Sequence, residues 1–246
     1  MKKFILVIFI ILCSATSVLA AGKFIHYNVQ EKSYEGYFVS PEKKSPLVLL
    51  LHDWDGLTDY EVKRANMLSE LGYAVFAADL FGVGIRPTKV TDKRQHTGEL
   101  YKDREKMRSL IMAGLDAAKE NGANTNNAVA MGYCFGGAAV LELARSGVAL
   151  KGFVTFHGGL TTPEGQDYSK AKGKYLILHG TADTAITMDD FAKLAQNLEE
   201  KGIPQEMITY GGEPHAFTVF GGDRYREDAD KKSWNRFVSF LNETLQ

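Results

Sequence analysis

Gly132-Tyr133-Cys134-Phe135-Gly136-Gly137 is the segment of this 246-residue chain best suited to chemistry. It follows a short apolar run, residues 127–131, and opens a helix-forming stretch, residues 138–145. A G-x-nucleophile-x-G turn between a strand and a helix is a nucleophile elbow, here with cysteine in the slot more often held by serine. The turn forces its central residue into strained backbone angles, so the flanking glycines must leave room for the adjoining strand and helix. A thiol placed there meets the N-terminus of the helix, whose dipole favours a thiolate. A buried cysteine beside a glycine turn would have the same letters, so the segment needs chemical partners.

Those partners follow in the order such an elbow requires, nucleophile then acid then histidine. Asp183 closes His179-Gly-Thr-Ala-Asp183, after the apolar residues 174–178. His215 lies in Gly211-Gly-Glu-Pro-His215-Ala-Phe217, after the strand-like residues 205–210. Each falls on a loop after a strand, at the edge where open α/β sheets build their sites. A free thiol with a pKa of about 8.5 is mostly protonated at neutral pH, so His215 within hydrogen-bond reach would activate it. Attack on an ester produces an oxyanion that needs preorganised donors. The expected donors are the backbone N–H of Phe135 and that of Trp54, in His52-Asp-Trp-Asp-Gly56 after the apolar residues 46–51. The acyl-enzyme would be a thioester, hydrolysed by water with His215 as base. Because thiolate leaves readily, lactones and activated esters suit such a site better than amides.

With Ala78-Asp-Leu-Phe81 and Pro214-His-Ala-Phe217, these motifs resemble the dienelactone hydrolase family of α/β-hydrolases over nearly all of the chain beyond its first twenty residues. The resemblance implies the α/β-hydrolase fold, a mostly parallel central sheet with helices on both faces. It implies Cys134 as nucleophile, His215 as general base and Asp183 as its orienter, with no cofactor and no metal. In the family a glutamate commonly occupies the second place of the His52–Asp53 pair and contacts the resting thiol. Asp53 is one methylene shorter, so it either restrains Cys134 or simply accepts from local backbone N–H groups. His157, after residues 153–156, either lines the pocket or is structural. The arginines that grip a dienelactone carboxylate in the best-known members have no clear counterpart, since no basic residue follows His215 before Arg224. Arg86 either supplies one positive group or is a surface residue.

The elements that must hold these residues read as alternating strands and helices, the pattern of a mostly parallel sheet covered on both sides. Residues 24–39 form leading strands, 59–71 a helix and 73–79 a strand. Residues 82–97, rich in Gly, Pro, Lys and Thr, read as a loop long enough to be a lid. Residues 99–121, 188–200 and 231–245 carry apolar side chains at helical spacing. No linker composition interrupts residues 21–246, which are expected to form a single domain.

Residues 1–20 have the pattern of an export signal: Lys2-Lys3, an apolar stretch to Leu12, then small residues ending at Ala20. The apolar stretch is short for a membrane span. The expected product is therefore periplasmic or secreted, with Cys134 as its only thiol and no disulfide partner. Loss of the two signal lysines leaves 27 basic against 30 acidic side chains. That balance gives no reason to expect binding to nucleic acid or anionic membranes. The expected partner is a small ester or lactone, acted on by a monomer or small homo-oligomer. A hydrolase fold that only binds a ligand, and a redox protein using Cys134, are the alternatives. The ordered triad argues against both.

Overall fold

The computed structural model describes residues 21–245, so the expected export signal lies outside the described residues. Its central strands, β3 (Pro46–Leu51), β4 (Ala74–Ala78), β5 (Asn124–Tyr133), β6 (Gly152–Phe156) and β7 (Lys174–Gly180), are short apolar runs. Such runs belong between two helical layers, where both faces of a parallel strand are buried. Alternation still assigns the faces. Leu47, Leu49 and Leu51 enter one apolar cluster and Val48 and Leu50 the other.

The hairpin β1 (Lys23–Val29) and β2 (Lys32–Val39) forms one edge and β8 (Gln205–Tyr210) the other. The eight strands run in the order β1-β2-β4-β3-β5-β6-β7-β8. The β1–β2 and β2–β4 pairs are antiparallel; every pair from β4 to β8 is parallel. Helices α1 (Asp59–Glu70) and α6 (Glu227–Leu245) cover one face through Ala65, Leu68, Phe237, Phe240 and Leu241. The other face is covered by α2 (Val90–Lys102), α3 (Arg104–Glu120), α4 (Phe135–Arg145) and α5 (Met188–Glu200). Parallel pairing brings the C-terminal ends of β3, β5, β6, β7 and β8 to a single sheet edge. The loops carrying Trp54, Cys134, His157, Asp183 and His215 all leave from there.

Two readings of the sequence are corrected. Residues 90–97 are helical, so of the expected 82–97 loop only 82–89 remain, within a connection of residues 79–89 between β4 and α2. Helix α2 escapes notice because it buries Thr97 and Leu100 while His96 stacks on Phe81 at 5.2 Å, an inward face without an apolar period. The helix expected over 99–121 is broken at Asp103 (φ −115°, ψ 83°), whose side chain accepts from the Lys106 N–H at 2.9 Å and caps α3. In addition, α6 begins at Glu227, with Glu227, Asp228 and Asp230 at its positive end.

A close approach of backbone to backbone joins β3 to α4. A Cβ on Gly136 would stand 2.2 Å from the Leu51 carbonyl oxygen and 2.6 Å from that of His52. Because both are backbone atoms, Gly136→Ala is expected to destabilise the protein by about 3 kcal/mol, at the upper end for overpacking. Urea unfolding of the variant would show this, and a wild-type midpoint would contradict the contact.

Candidate active site

Cys134 occupies the elbow with φ 51° and ψ −112°, a strained conformation for a residue with a Cβ. Its N–H donates to the Phe156 carbonyl at 3.1 Å, and its own carbonyl accepts from the Gly137, Ala138 and Gly159 N–H groups. These bonds aim the side chain away from the sheet. Its Sγ lies 3.1 Å from His215 Nε2, and His215 Nδ1 lies 2.7 Å from Asp183 Oδ2. The other Asp183 oxygen accepts from the Ala185 and Ile186 N–H groups, each at 2.9 Å. The two loops are themselves tied: Ala182 N–H donates to the Glu213 carbonyl at 3.0 Å, and Gly212 N–H to Thr181 Oγ1 at 2.8 Å. The three residues singled out in the sequence therefore meet in one hydrogen-bonded line.

Burial pushes the Asp183 carboxyl upward, but the bonds from His215 and from the Ile186 and Ala185 N–H groups outweigh it and hold it below the ordinary value. The thiol is affected the other way. Burial, then negative charge at Asp53, push Cys134 well above its ordinary value against the lowering effect of the Phe135 N–H. The thiolate expected from the helix dipole meets an opposing effect, because desolvation favours the neutral thiol. Such an arrangement can move the thiol proton to His215 as a bond forms at sulfur, with Asp183 steadying the imidazolium.

The two expected oxyanion donors sit on segments that pack on each other, because α4 starts against the end of β3. The Phe135 N–H acts on the Cys134 sulfur. The Trp54 N–H has no acceptor among the described residues. Trp54 is braced by Lys93, whose ammonium stands 5.2 Å from the ring centroid and 3.3 Å from Asp55 Oδ2.

Asp53 is nearly buried and turns to its own loop, accepting from the Asp55 N–H at 2.9 Å. Burial, then its bond to Asp55, raise its pKa well above the usual carboxylate range. His157 is fully buried behind His215, ring centroids 5.3 Å apart, with Nε2 2.8 Å from Thr218 Oγ1. It supports the site from behind and is not part of an open wall. Arg86 is also corrected as a pocket residue. Its guanidinium bonds the Leu57 carbonyl, bonds the Ile85 carbonyl at 2.8 Å and lies 3.7 Å from buried Asp79. Its charge is already matched.

Sequence reasoning missed the polar scaffold beneath His215. Buried Arg64 donates to the Thr218 carbonyl at 2.9 Å and pairs with Asp230 of α6, while the Tyr60 hydroxyl meets Thr218 Oγ1 at 3.0 Å. Arg64 lies on the inward side of α1, where the apolar period leaves a charged residue unread. The Thr58–Glu61 capping box of α1 was legible as T-x-x-E. There Glu61 Oε2 accepts from the Thr58 N–H and hydroxyl, both at 2.8 Å, and Oε1 is buried without a partner.

Two pH effects follow from these environments. Alkylation of Cys134 by iodoacetamide is expected to accelerate steadily past pH 9; a plateau near pH 7 would show a resting thiolate. Burial outweighs the Thr58 bonds and raises Glu61 from 4.5 to about 7. The folded state therefore binds more protons than the unfolded chain between those values, and stability falls as pH rises through that window, by at most about 3 kcal/mol. Glu61→Gln is expected to flatten the decline in urea unfolding between pH 5 and pH 8, and a slope parallel to wild type would refute it.

The profile of the dienelactone hydrolase family matches residues 34–245. A dienelactone hydrolase-like promiscuous phosphotriesterase from metagenomic libraries superposes with a TM-score of 0.86 at 26% identity, covering 93% of this chain and 100% of that one. A Saccharolobus solfataricus protein, provisionally named a carboxymethylenebutenolidase, is 24% identical over 253 residues, spanning 89% of this chain and 97% of its own. The protein Usf of Aquifex pyrophilus is 23% identical over 239 residues, covering 91% and 99% of the two chains. Matched across its sheet, its helices and the strand-end loops that carry Cys134, Asp183 and His215, the chain belongs to the dienelactone hydrolase family.

Proposed function

We propose that the chain hydrolyses an ester, lactone or thioester through Cys134, His215 and Asp183. The observation that carries this reading is the line from Sγ to His215 Nε2 at 3.1 Å and from Nδ1 to Asp183 at 2.7 Å, assembled from three separate strand ends. As Sγ bonds the carbonyl carbon, the thiol proton passes to Nε2, and the carbonyl oxygen becomes an oxyanion facing the Phe135 and Trp54 N–H groups. Collapse breaks the bond to the leaving oxygen, which takes the proton from His215 and departs as an alcohol, leaving a thioester. Water then gives a proton to His215 and its oxygen to the acyl carbon, releasing the acid and restoring the thiol. A neutral resting thiol suits this sequence, since charge develops on sulfur only when a substrate is present.

Membership of the family supports a hydrolase acting on a small molecule. The matched charge of Arg86 favours esters and lactones without a carboxylate at that position. The raised thiol opposes the redox alternative, which calls for an accessible thiolate. The pattern of residues 1–20 supports export to the periplasm or beyond, and residues 21–246 as the mature domain. No helix among the described residues is long and apolar enough to cross a membrane.

Purified protein lacking residues 1–20 is expected to turn over short-chain p-nitrophenyl esters. Cys134→Ala or prior alkylation should lower kcat by about 10⁴-fold or more, and Asp183→Asn by roughly 10²–10⁴-fold, as in other triads. Turnover that survives Cys134→Ala would sink the mechanism.

A further inference from the structure

Tyr101 stands in the last turn of α2 and plays no part in the chemistry above. Its ring packs edge-on against Phe135, the residue after Cys134, with centroids 5.4 Å apart at 76°. Its hydroxyl lies 3.7 Å from the point a Cβ on Gly159 would occupy, and the Gly159 N–H donates to the Cys134 carbonyl at 3.2 Å. A phenol, with an ordinary pKa of about 10, remains a hydrogen-bond donor at neutral pH. Among the described residues this hydroxyl has no hydrogen-bond partner, and the side chain is 38% exposed. It is a polar group over Phe135 and Gly159, the neighbours of Cys134, with no acceptor of its own.

Its placement is built rather than incidental. Arg104 Nε donates to the Tyr101 carbonyl at 2.8 Å, and the guanidinium stacks 4.8 Å from the ring centroid. The same guanidinium reaches buried Glu142 at 3.4 Å, on the helix that begins next to Cys134. Tyr101 is thereby registered to the nucleophile through α4. Since His215 protonates the departing alcohol and the Phe135 and Trp54 N–H groups take the oxyanion, the acyl group points in the remaining direction, and Tyr101, packed on the Phe135 ring, is a polar group available to it.

We propose that Tyr101 determines specificity by donating a hydrogen bond to an oxygen on the acyl group, so that acyl groups with an oxygen near the scissile carbonyl are preferred over plain alkyl ones. Arg104 is its positioning residue. This rests on the Cys134 hydrolase reading and adds the substrate class to it.

The test compares p-nitrophenyl methoxyacetate with p-nitrophenyl butyrate, two esters of equal length that differ by one ether oxygen. Tyr101→Phe keeps the ring and removes the donor. It is expected to lower the methoxyacetate-to-butyrate ratio of kcat/KM about fivefold, the value of one hydrogen bond. Arg104→Gln should lower the same ratio, and Arg104→Lys, which keeps a cation over the ring, should recover part of it. An unchanged ratio in Tyr101→Phe, with turnover still dependent on Cys134, would overturn the assignment of Tyr101 alone. Turnover independent of Cys134 would instead overturn the hydrolase reading beneath it. An Arg104→Gln variant with a shifted Tm and an unchanged ratio would remove Arg104 from the proposal.

Discussion

The close approach of backbone to backbone at the elbow is the constraint on which the rest of the site depends. Strand β5 must end, reverse and start α4 within a few residues, and this places Cys134 at a positive φ. Such a turn exists only where side chains are missing around it. A Cβ on Gly132 would stand 2.3 Å from the Gly136 backbone, and one on Gly137 would stand 2.6 Å from Gly158 Cα. Through Gly136 the same turn presses against the carbonyls of Leu51 and His52, at the start of the loop that carries Trp54. The elbow that carries Cys134 and the end of β3 therefore form a single packing unit.

The surrounding loops are held to that unit by a different physics, that of buried polar groups paired with one another and with backbone. Asp79, wholly buried, accepts from the Phe81 and Gly82 N–H groups and so shapes the connection that leads to α2. Leu80 N–H donates to His52 Nε2 at 3.0 Å, tying that connection to the loop after β3. On the opposite side Arg64 is enclosed by Phe220 and Trp234, with its centre 4.1 and 4.9 Å from the two ring centroids, and holds the chain just beyond His215. A buried guanidinium is stable only when paired, and Asp230 from the last helix completes the pair. The terminal helix thus contributes to the register of the histidine loop even though it lies beneath the sheet edge that bears the chemistry.

The same economy explains the departures from the family pattern. Where the family commonly has a glutamate, the shorter Asp53 reaches its own loop at Asp55, and the thiol's hydrogen bond is to His215. Desolvation is the largest effect favouring the neutral sulfur, and Asp53 adds to it through its charge without a hydrogen bond to the thiol. Arg86 serves buried Asp79 and the Leu57 carbonyl, a structural use of a charge that the sequence leaves free for substrate.

Much of this was legible in the chain itself. Local spacing is enough to specify a glycine-flanked cysteine between strand and helix, and strand-end loops carry Asp183 and His215 in the right order. Apolar runs a few residues long can be read as buried parallel strands, because no other element hides both faces in so short a length. The lid-like stretch was misread because α2 buries only Thr97 and Leu100 and lays half-buried His96 on Phe81, leaving no apolar stripe, and the break at Asp103 rests on a cap, which leaves no mark in hydropathy. The inward turn of Arg64, the commitment of Arg86, the position of His157 behind His215 and the overhang of Tyr101 came only from the tertiary structure. The sequence by itself determined which groups could react and in what order the chain presents them. Tertiary structure alone decided which charges are matched, which carboxyls and thiol stay neutral, and which side chains face the sulfur, because burial and pairing arise between residues far apart along the chain.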